Sequence, residues 1–289
     1  MKTAVITTGG LGTRLSTITK VLPKTMLPLF EKNSADLSSP ILRPLIEIIF
    51  NDLYDVGFRR FCFIVGEKTK HVIIDHFNKN DAFINLLKKR NVTVDKRFIK
   101  SLKTFDKKIE KCEISWITQS TPMGFGHALL SAKKFVGNET FLLYAGDAFF
   151  LKSNFLSDFI HNHQKSKNAT CSVLLERKKY LKGFGIAQVK KKNNENIIFN
   201  IEEKPKKPKS NFAVLPVYIF EPLVFDALKK TIHGYNNELQ VTDAIQTLIN
   251  WDKKVLSFKY KQKSWFDIGI PANYHKALNQ SFNISTKNR

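Results

Sequence analysis

Near its start the chain passes from an apolar run, Ala4-Val5-Ile6, into Gly9-Gly10-Leu11-Gly12-Thr13-Arg14-Leu15, and Pro23-Lys24 follows. Glycines lack Cβ, so the backbone can take positive φ and bring its N–H groups close to a polyanion, while a guanidinium and an ammonium neutralise the charge. Such a set of residues suits phosphate binding. It is not a P-loop, which needs Lys-Ser/Thr directly after its last glycine; Thr13-Arg14 stands there instead. Nor is it a dinucleotide fingerprint, because Leu15 occupies the place of the third glycine. Taken alone, the same residues could be a structural turn.

A second candidate is Asp147, directly after the apolar run 141–145. It falls at the carboxyl end of a buried strand, where open α/β sheets bind ligands. A helix cap or a turn is the ordinary alternative for a lone aspartate there. Lys204 lies in the basic loop Lys204 to Lys209, which by charge alone reads as solvated surface. The histidines show no metal-ligand spacing.

The elements that must position these residues alternate. Leu42 to Val56 has helical apolar spacing, closes at Gly57, and precedes the β-rich run 61–65, completing a βαβ unit. Helical spacing recurs over 71–77, and the basic segment 79–111, with isolated apolar residues as solvated surface helices have, reads as an insertion. The rhythm resumes with strand 113–118, helix 127–135, strand 141–144, helix 154–163 and strand 170–175. This predicts an α/β fold: a Rossmann-like, mostly parallel sheet flanked by helices on both faces. From Phe184 the pattern changes to short strands (185–189, 197–202, 212–220), then helices near 222–230 and 241–249, a strand over 255–260 and a last helix from Pro271. We expect one domain over 1–289: a first part over about 1–176, and a smaller α+β lobe over 177–289.

Composition narrows the class. A chain of 289 residues with 43% hydrophobic content can bury a full core. Its three cysteines, Cys62, Cys112 and Cys171, are far apart and set among apolar residues, which fits reduced thiols and a cytoplasmic compartment. Neither an export signal nor a membrane span is indicated. The net charge of +22 would suit nucleic acid, but the lysines are scattered without an aromatic-interleaved or helix-turn-helix motif, so no specific nucleic-acid partner is expected. A positive field steers polyphosphates equally well.

Five blocks together resemble the sugar-1-phosphate nucleotidyltransferases, most closely the bacterial-type UTP:glucose-1-phosphate uridylyltransferases. They are Gly9 to Arg14 with Pro23-Lys24; Gln119 with Gly124-Phe125-Gly126-His127-Ala128; Gly146-Asp147; Glu203-Lys204-Pro205; and Glu238 to Ile245, in the family's order across nearly the whole chain. In that family the phosphate of a sugar 1-phosphate attacks the α-phosphorus of a nucleoside triphosphate in line and releases pyrophosphate, so catalysis is chiefly alignment and charge neutralisation. The resemblance implies that Gly9, Gly10, Gly12 and Thr13 line the nucleotide, Arg14 steadies the departing pyrophosphate and Lys24 contacts the phosphates during transfer. Gln119 and Gly124 would read the pyrimidine edge, an amide matching the O4 and N3–H pattern of uracil. Asp147 and Asp267, the latter in Trp265-Phe266-Asp267-Ile268-Gly269, would share Mg²⁺. Glu203 would accept sugar hydroxyls, Lys204 hold the sugar phosphate, and Gly185 lie against the sugar, which would make 1–176 the nucleotide-binding part and 177–289 the sugar-binding and closing part. The block from Glu238 caps a helix and is assigned no chemistry. His127 is given a packing or capping role, since this reaction needs no base.

Thr25 departs from the glutamate of the uridylyltransferases and the glutamine of the thymidylyltransferases at that place. Alternatives therefore stay open: dTTP or another triphosphate, another sugar 1-phosphate, a non-catalytic nucleotide-sugar-binding regulator, or a nucleic-acid binder. A homo-oligomer also stays open. If Lys204 serves the acceptor and Arg14 the leaving group, Lys204→Ala should chiefly raise KM for the sugar phosphate, and Arg14→Ala chiefly lower kcat. Indistinguishable defects in steady-state kinetics would contradict that division.

Overall fold

A computed structural model describes residues 1–10, 12–33, 36–89, 96–121, 123–232 and 234–286. The first strand, β1 (Thr3–Thr7), enters short helical turns at Thr13–Leu15, α1 (Ser16–Thr19) and Lys24–Met26. A hairpin of β2 (Pro28–Asn33) and β3 (Asp36–Pro44) leads into α2 (Leu45–Asp55), β4 (Arg60–Gly66), α3 (Lys70–Phe77), α4 (Asp81–Lys89), α5 (Lys96–Ile109) and β5 (Glu113–Gln119). Next come α6 (Phe125–Ser131), α7 (Lys133–Val136), β6 (Phe141–Ala145), β7 (Ala148–Phe150), α8 (Phe155–Lys165) and β8 (Ala169–Arg177). The remainder is β9 (Ile186–Lys192), β10 (Glu195–Glu202), β11 (Phe212–Phe220), α9 (Val224–Lys230), α10 (Val241–Asn250), β12 (Lys254–Lys259), β13 (Trp265–Asp267) and α11 (Pro271–Thr286).

Nine strands form one sheet in the order β5-β4-β1-β6-β11-β8-β12-β10-β9. It is parallel from β5 to β6 and becomes mixed from β11 onward. The apolar runs that build it send successive side chains to opposite faces. Ala4, Ile6, Phe61, Phe63, Leu142 and Tyr144 pack with α2, α3 and α8, while Val5, Cys62, Ile64, Phe141 and Leu143 pack with α6, α9 and α10. Such double-sided burial explains why these strands read as continuous apolar runs rather than alternating ones. Beyond residue 177 the strands β9 to β12 belong to this same sheet, with Ala187 beside Phe212 and Ile197 beside Leu256.

Several elements differ from the sequence reading. Residues 41–44 belong to β3, and α2 starts only at Leu45, because Pro44 disfavours a helical conformation at Arg43. The helix expected over 127–135 starts earlier and breaks at Ala132 into α6 and α7. Part of the 79–111 insertion lies outside the described residues, but α5 is more than a solvated surface helix. Phe105 is buried against Phe50, Phe77 and His76, at centroid distances of 5.7, 5.3 and 5.4 Å. Cys62, Cys112 and Cys171 are free, the first and last buried. Among the described residues no helix is long and apolar enough to cross a membrane.

Glu31 on β2 and Asp52 on α2 are recessed, and burial pushes each carboxyl up to about 7. Ser153 Oγ donates to Asp52 Oδ1 at 2.7 Å, and Arg43 Nε meets Glu31 at 2.9 Å. Carboxyls that keep protons in the fold after the unfolded chain has released them make stability fall as pH rises from about 4 through about 7. Asp52→Asn, which retains an acceptor for Ser153, should raise Tm at pH 8 by about 3–5 °C and leave it unchanged at pH 4. Thermal unfolding by circular dichroism checks this, and an equal gain at both pH values would refute it.

Candidate active site

The carboxyl ends of the parallel strands gather most of the candidate residues. Register places Thr7 between Ile64 and Ala145, so the turns after β1, β4 and β6 leave the sheet at one level. Thr8 N donates to Ile64 O at 2.7 Å, and Gly146 N to Thr7 O at 2.9 Å. Gly146 must be a glycine, because a Cβ there would lie 2.8 Å from Thr7 O. This close packing delivers Asp147 beside the glycine-rich turn. Gly12 takes the left-handed conformation, at φ 61°, and its carbonyl accepts from Leu15 N at 2.8 Å and Thr19 Oγ1 at 2.9 Å. Thr13 and Arg14 follow in the helical turn that this bend starts.

Two carboxylate–cation pairs form at this edge. Lys24 Nζ bonds Asp147 Oδ2, and Arg14 meets Asp267 Oδ2 at 3.0 Å. Asp267 comes from the far end of the chain by way of β13, which pairs antiparallel with β7 and sets Asp267 opposite Ala148. Ile268 N then donates to Asp147 O at 3.1 Å, and Gly269 N to Asp267 Oδ1 at 2.9 Å. Gly269 lies in the same cluster: a Cβ on it would lie 3.0 Å from Asp267 Oδ1 and 3.4 Å from the Arg14 guanidinium. A Cβ on Gly10 would be 3.5 Å from Lys24 Nζ. Burial, reinforced by the negative charge of Asp147, holds the Asp267 carboxyl above the usual range, while Arg14 and Lys24 oppose the shift. Two carboxylates close enough to repel each other suit the hard oxygen preference of a divalent cation that takes its remaining ligands from water and phosphate; no cluster of three or more acids, imidazoles or thiols that could hold a metal ion occurs among the described residues.

Gln119 ends β5 beside Gly66 and is buried, its Oε1 3.0 Å from where a Cβ on Gly9 would stand. Its Nε2 meets His127 Nδ1 at 3.1 Å: of the packing or capping role expected for His127, no cap of α6 is seen among the described residues, and the imidazole in the first turn packs back against the amide. Gly124, at φ 104°, and Gly126 give room to the chain before α10, where Cβ atoms would lie 2.7 and 2.8 Å from Leu239 O. Gly126 N donates to that carbonyl at 2.8 Å. Thr25 is fully buried against Gly146, and its hydroxyl has no partner among the described residues.

Glu203, Lys204 and Gly185 form a second group. Gly185 O accepts from Val214 N at 2.8 Å, and a Cβ on Gly185 would meet Glu203 Oε2 at 3.1 Å. Thr242 Oγ1 donates to Glu203 Oε2 at 2.7 Å, while Lys204 Nζ lies 3.2 Å from Glu203 Oε1 and 4.7 Å from the centre of the Tyr235 ring. Lys204 therefore stands with Glu203 and Tyr235, whereas Arg14, Lys24, Asp147 and Asp267 surround one another. The sequence reading missed Thr242 and Tyr235. Thr242 read as a helix start, and a threonine hydroxyl reveals its partner only once β10 and α10 are packed together.

Removing the charge of Asp147 should lower the pKa of Asp267, because the nearest like charge is gone and Lys24 is released toward it. Carboxylate carbon NMR of Asp147→Asn against the native chain reads this directly; an unmoved Asp267 titration would show the two carboxylates to be uncoupled.

Comparison with known proteins adds three findings. A family model described as nucleotidyl transferase matches residues 3–283. A UTP–glucose-1-phosphate uridylyltransferase of Streptococcus pyogenes serotype M3 is 30% identical over 286 residues, covering 96% of this chain and 88% of that protein; one of Mycoplasma pneumoniae is 30% identical over 289 residues, covering 96% and 93%. A crystal structure of UDP-glucose pyrophosphorylase complexed with UDP-glucose superposes with a TM-score of 0.81 at 26% identity, covering 98% of this chain and 99% of that one.

Proposed function

The chain belongs to the nucleotidyl transferase family, and from that premise we propose that it transfers the uridylyl group of UTP to glucose 1-phosphate, forming UDP-glucose and pyrophosphate. The observation that carries this reading is the meeting of Arg14, Lys24, Asp147 and Asp267 at the carboxyl edge of the sheet. Relatives at 30% identity along almost the full chain are named for that reaction.

Each residue then has a physical task. In the free protein both carboxylates are neutralised by side-chain cations, and a triphosphate offers those cations a denser set of oxygens. Lys24, close to Gly10, would turn to the phosphates at the α-phosphorus, and Arg14 to the departing pyrophosphate; Gly9, Gly12 and Thr13 would line the nucleotide. Asp147 and Asp267 would hold Mg²⁺, which when bound supplies charge neutralisation for the phosphates. Gln119 and Gly124 would contact the base. Glu203, fixed by Thr242, would accept sugar hydroxyls, with Gly185 against the sugar ring and Lys204 on its phosphate. No covalent nucleophile or general base is required, because the attacking phosphate oxygen is already ionised.

Purified protein with Mg²⁺, glucose 1-phosphate and each nucleoside triphosphate in turn should release pyrophosphate fastest with UTP. Asp147→Ala should lower kcat by about 10²-fold or more. Absence of pyrophosphate with every triphosphate and sugar phosphate would overturn the assignment. If UDP-glucose still bound, and bound equally to Asp147→Ala, the chain would be a non-catalytic nucleotide-sugar binder.

A further inference from the structure

Lys204 is held by more than its charge. Its backbone takes the left-handed conformation at φ 44°, which strains a lysine, and its N–H donates to Phe184 O at 3.2 Å. Strain of this kind persists only where the surroundings fix it, and it gathers at ligand clamps. The ammonium lies between Glu203 Oε1, at 3.2 Å, and the face of the Tyr235 ring, 4.7 Å from its centre. Tyr235 sits in the short turn Tyr235–Asn237, which Gly234 N closes on Glu238 O at 2.9 Å, and Gln240 Nε2 donates to the Tyr235 carbonyl at 3.3 Å. The same stretch of chain enters α10, where Thr242 Oγ1 grips Glu203 at 2.7 Å. One helix start therefore sets both neighbours of the ammonium.

Core packing does not account for the ring, because Tyr235 is 48% exposed. Its place over a cation does. An aromatic face attracts an ammonium through its quadrupole and adds no net charge. A second carboxylate there would hold the ammonium as firmly, yet repel an arriving phosphate. With the ring in place, a phosphate can draw the ammonium from Glu203 without facing a further anion, and Glu203 is released for sugar hydroxyls. We propose that Tyr235 is a positioning residue for the acceptor: its ring face holds the Lys204 ammonium ready for the phosphate of glucose 1-phosphate and leaves triphosphate binding unaffected. The inference rests on Lys204 taking the sugar phosphate, as the functional reading has it.

Steady-state kinetics with UTP and glucose 1-phosphate test it by comparing the native chain with Tyr235→Phe, which keeps the ring face, and Tyr235→Leu, which keeps apolar bulk without it. Tyr235→Leu should raise KM for glucose 1-phosphate about two- to fivefold, the worth of one exposed cation–π contact, with KM for UTP and kcat within about 1.5-fold of native. Tyr235→Phe should stay within about 1.5-fold of native in all three. Partial misfolding lowers kcat and leaves both KM values alone, so it cannot imitate this pattern. In a Lys204→Ala background, Tyr235→Leu should add nothing, because the ring acts through the ammonium. An unchanged KM for glucose 1-phosphate in Tyr235→Leu, an equal rise in Tyr235→Phe, a matching rise in KM for UTP, or full additivity with Lys204→Ala overturns the proposal. A native chain without turnover on any pair of substrates would sink the functional reading, and calorimetry then reads the contact without chemistry. There Tyr235→Leu should weaken UDP-glucose about two- to fivefold and leave UMP unchanged. Equal affinity of native and Tyr235→Leu chains for UDP-glucose, or a native chain that binds UDP-glucose no better than UMP, would overturn the inference as well.

Discussion

Two carboxylates held within Coulombic reach of each other are the constraint on which the edge of this sheet depends. Asp147 and Asp267 come from distant parts of the chain, and pairing of β7 with β13 brings them side by side. Unbalanced, such a pair in a recessed site would drive one carboxyl to protonate. Here Lys24 and Arg14 oppose that tendency, and the glycines around them let the backbone approach without displacing either cation. The result is a neutral but polarised edge made of two carboxylate–cation pairs.

The second group is built on a different physical basis. Glu203 is gripped at both oxygens, by Thr242 and by Lys204, and the Tyr235 ring lies against the ammonium. The segment before α10 links this group to the start of α6, because Leu239 packs its carbonyl against Gly124 and Gly126 while Thr242, in the first turn of α10, reaches Glu203. One helix start thus couples elements from both halves of the chain. The continuous sheet makes that coupling rigid, since β9 and β10 are hydrogen-bonded into the same structure as β1 and β6.

Much of the scaffold was legible because apolar periodicity is local. The short, β-rich apolar runs 61–65 and 141–145 read as strands buried on both faces, as they are, and they place Asp147 at a carboxyl end. The glycine-rich turn was legible for the same reason, a short stretch whose backbone freedom is written in its composition. Harder to read were the start of α2, where Pro44 outweighed a helical apolar pattern, and the break at Ala132, which no residue type announces.

Sequence by itself determined the alternating architecture and the kinds of charge available for phosphates, because strand burial and side-chain chemistry depend on residues close together along the chain. Tertiary structure alone decided which charge meets which. That Arg14 faces Asp267, that Lys204 stands with Glu203 and Tyr235 apart from Lys24, and that His127 turns toward Gln119 follow from strand register and helix packing, which join residues distant in sequence.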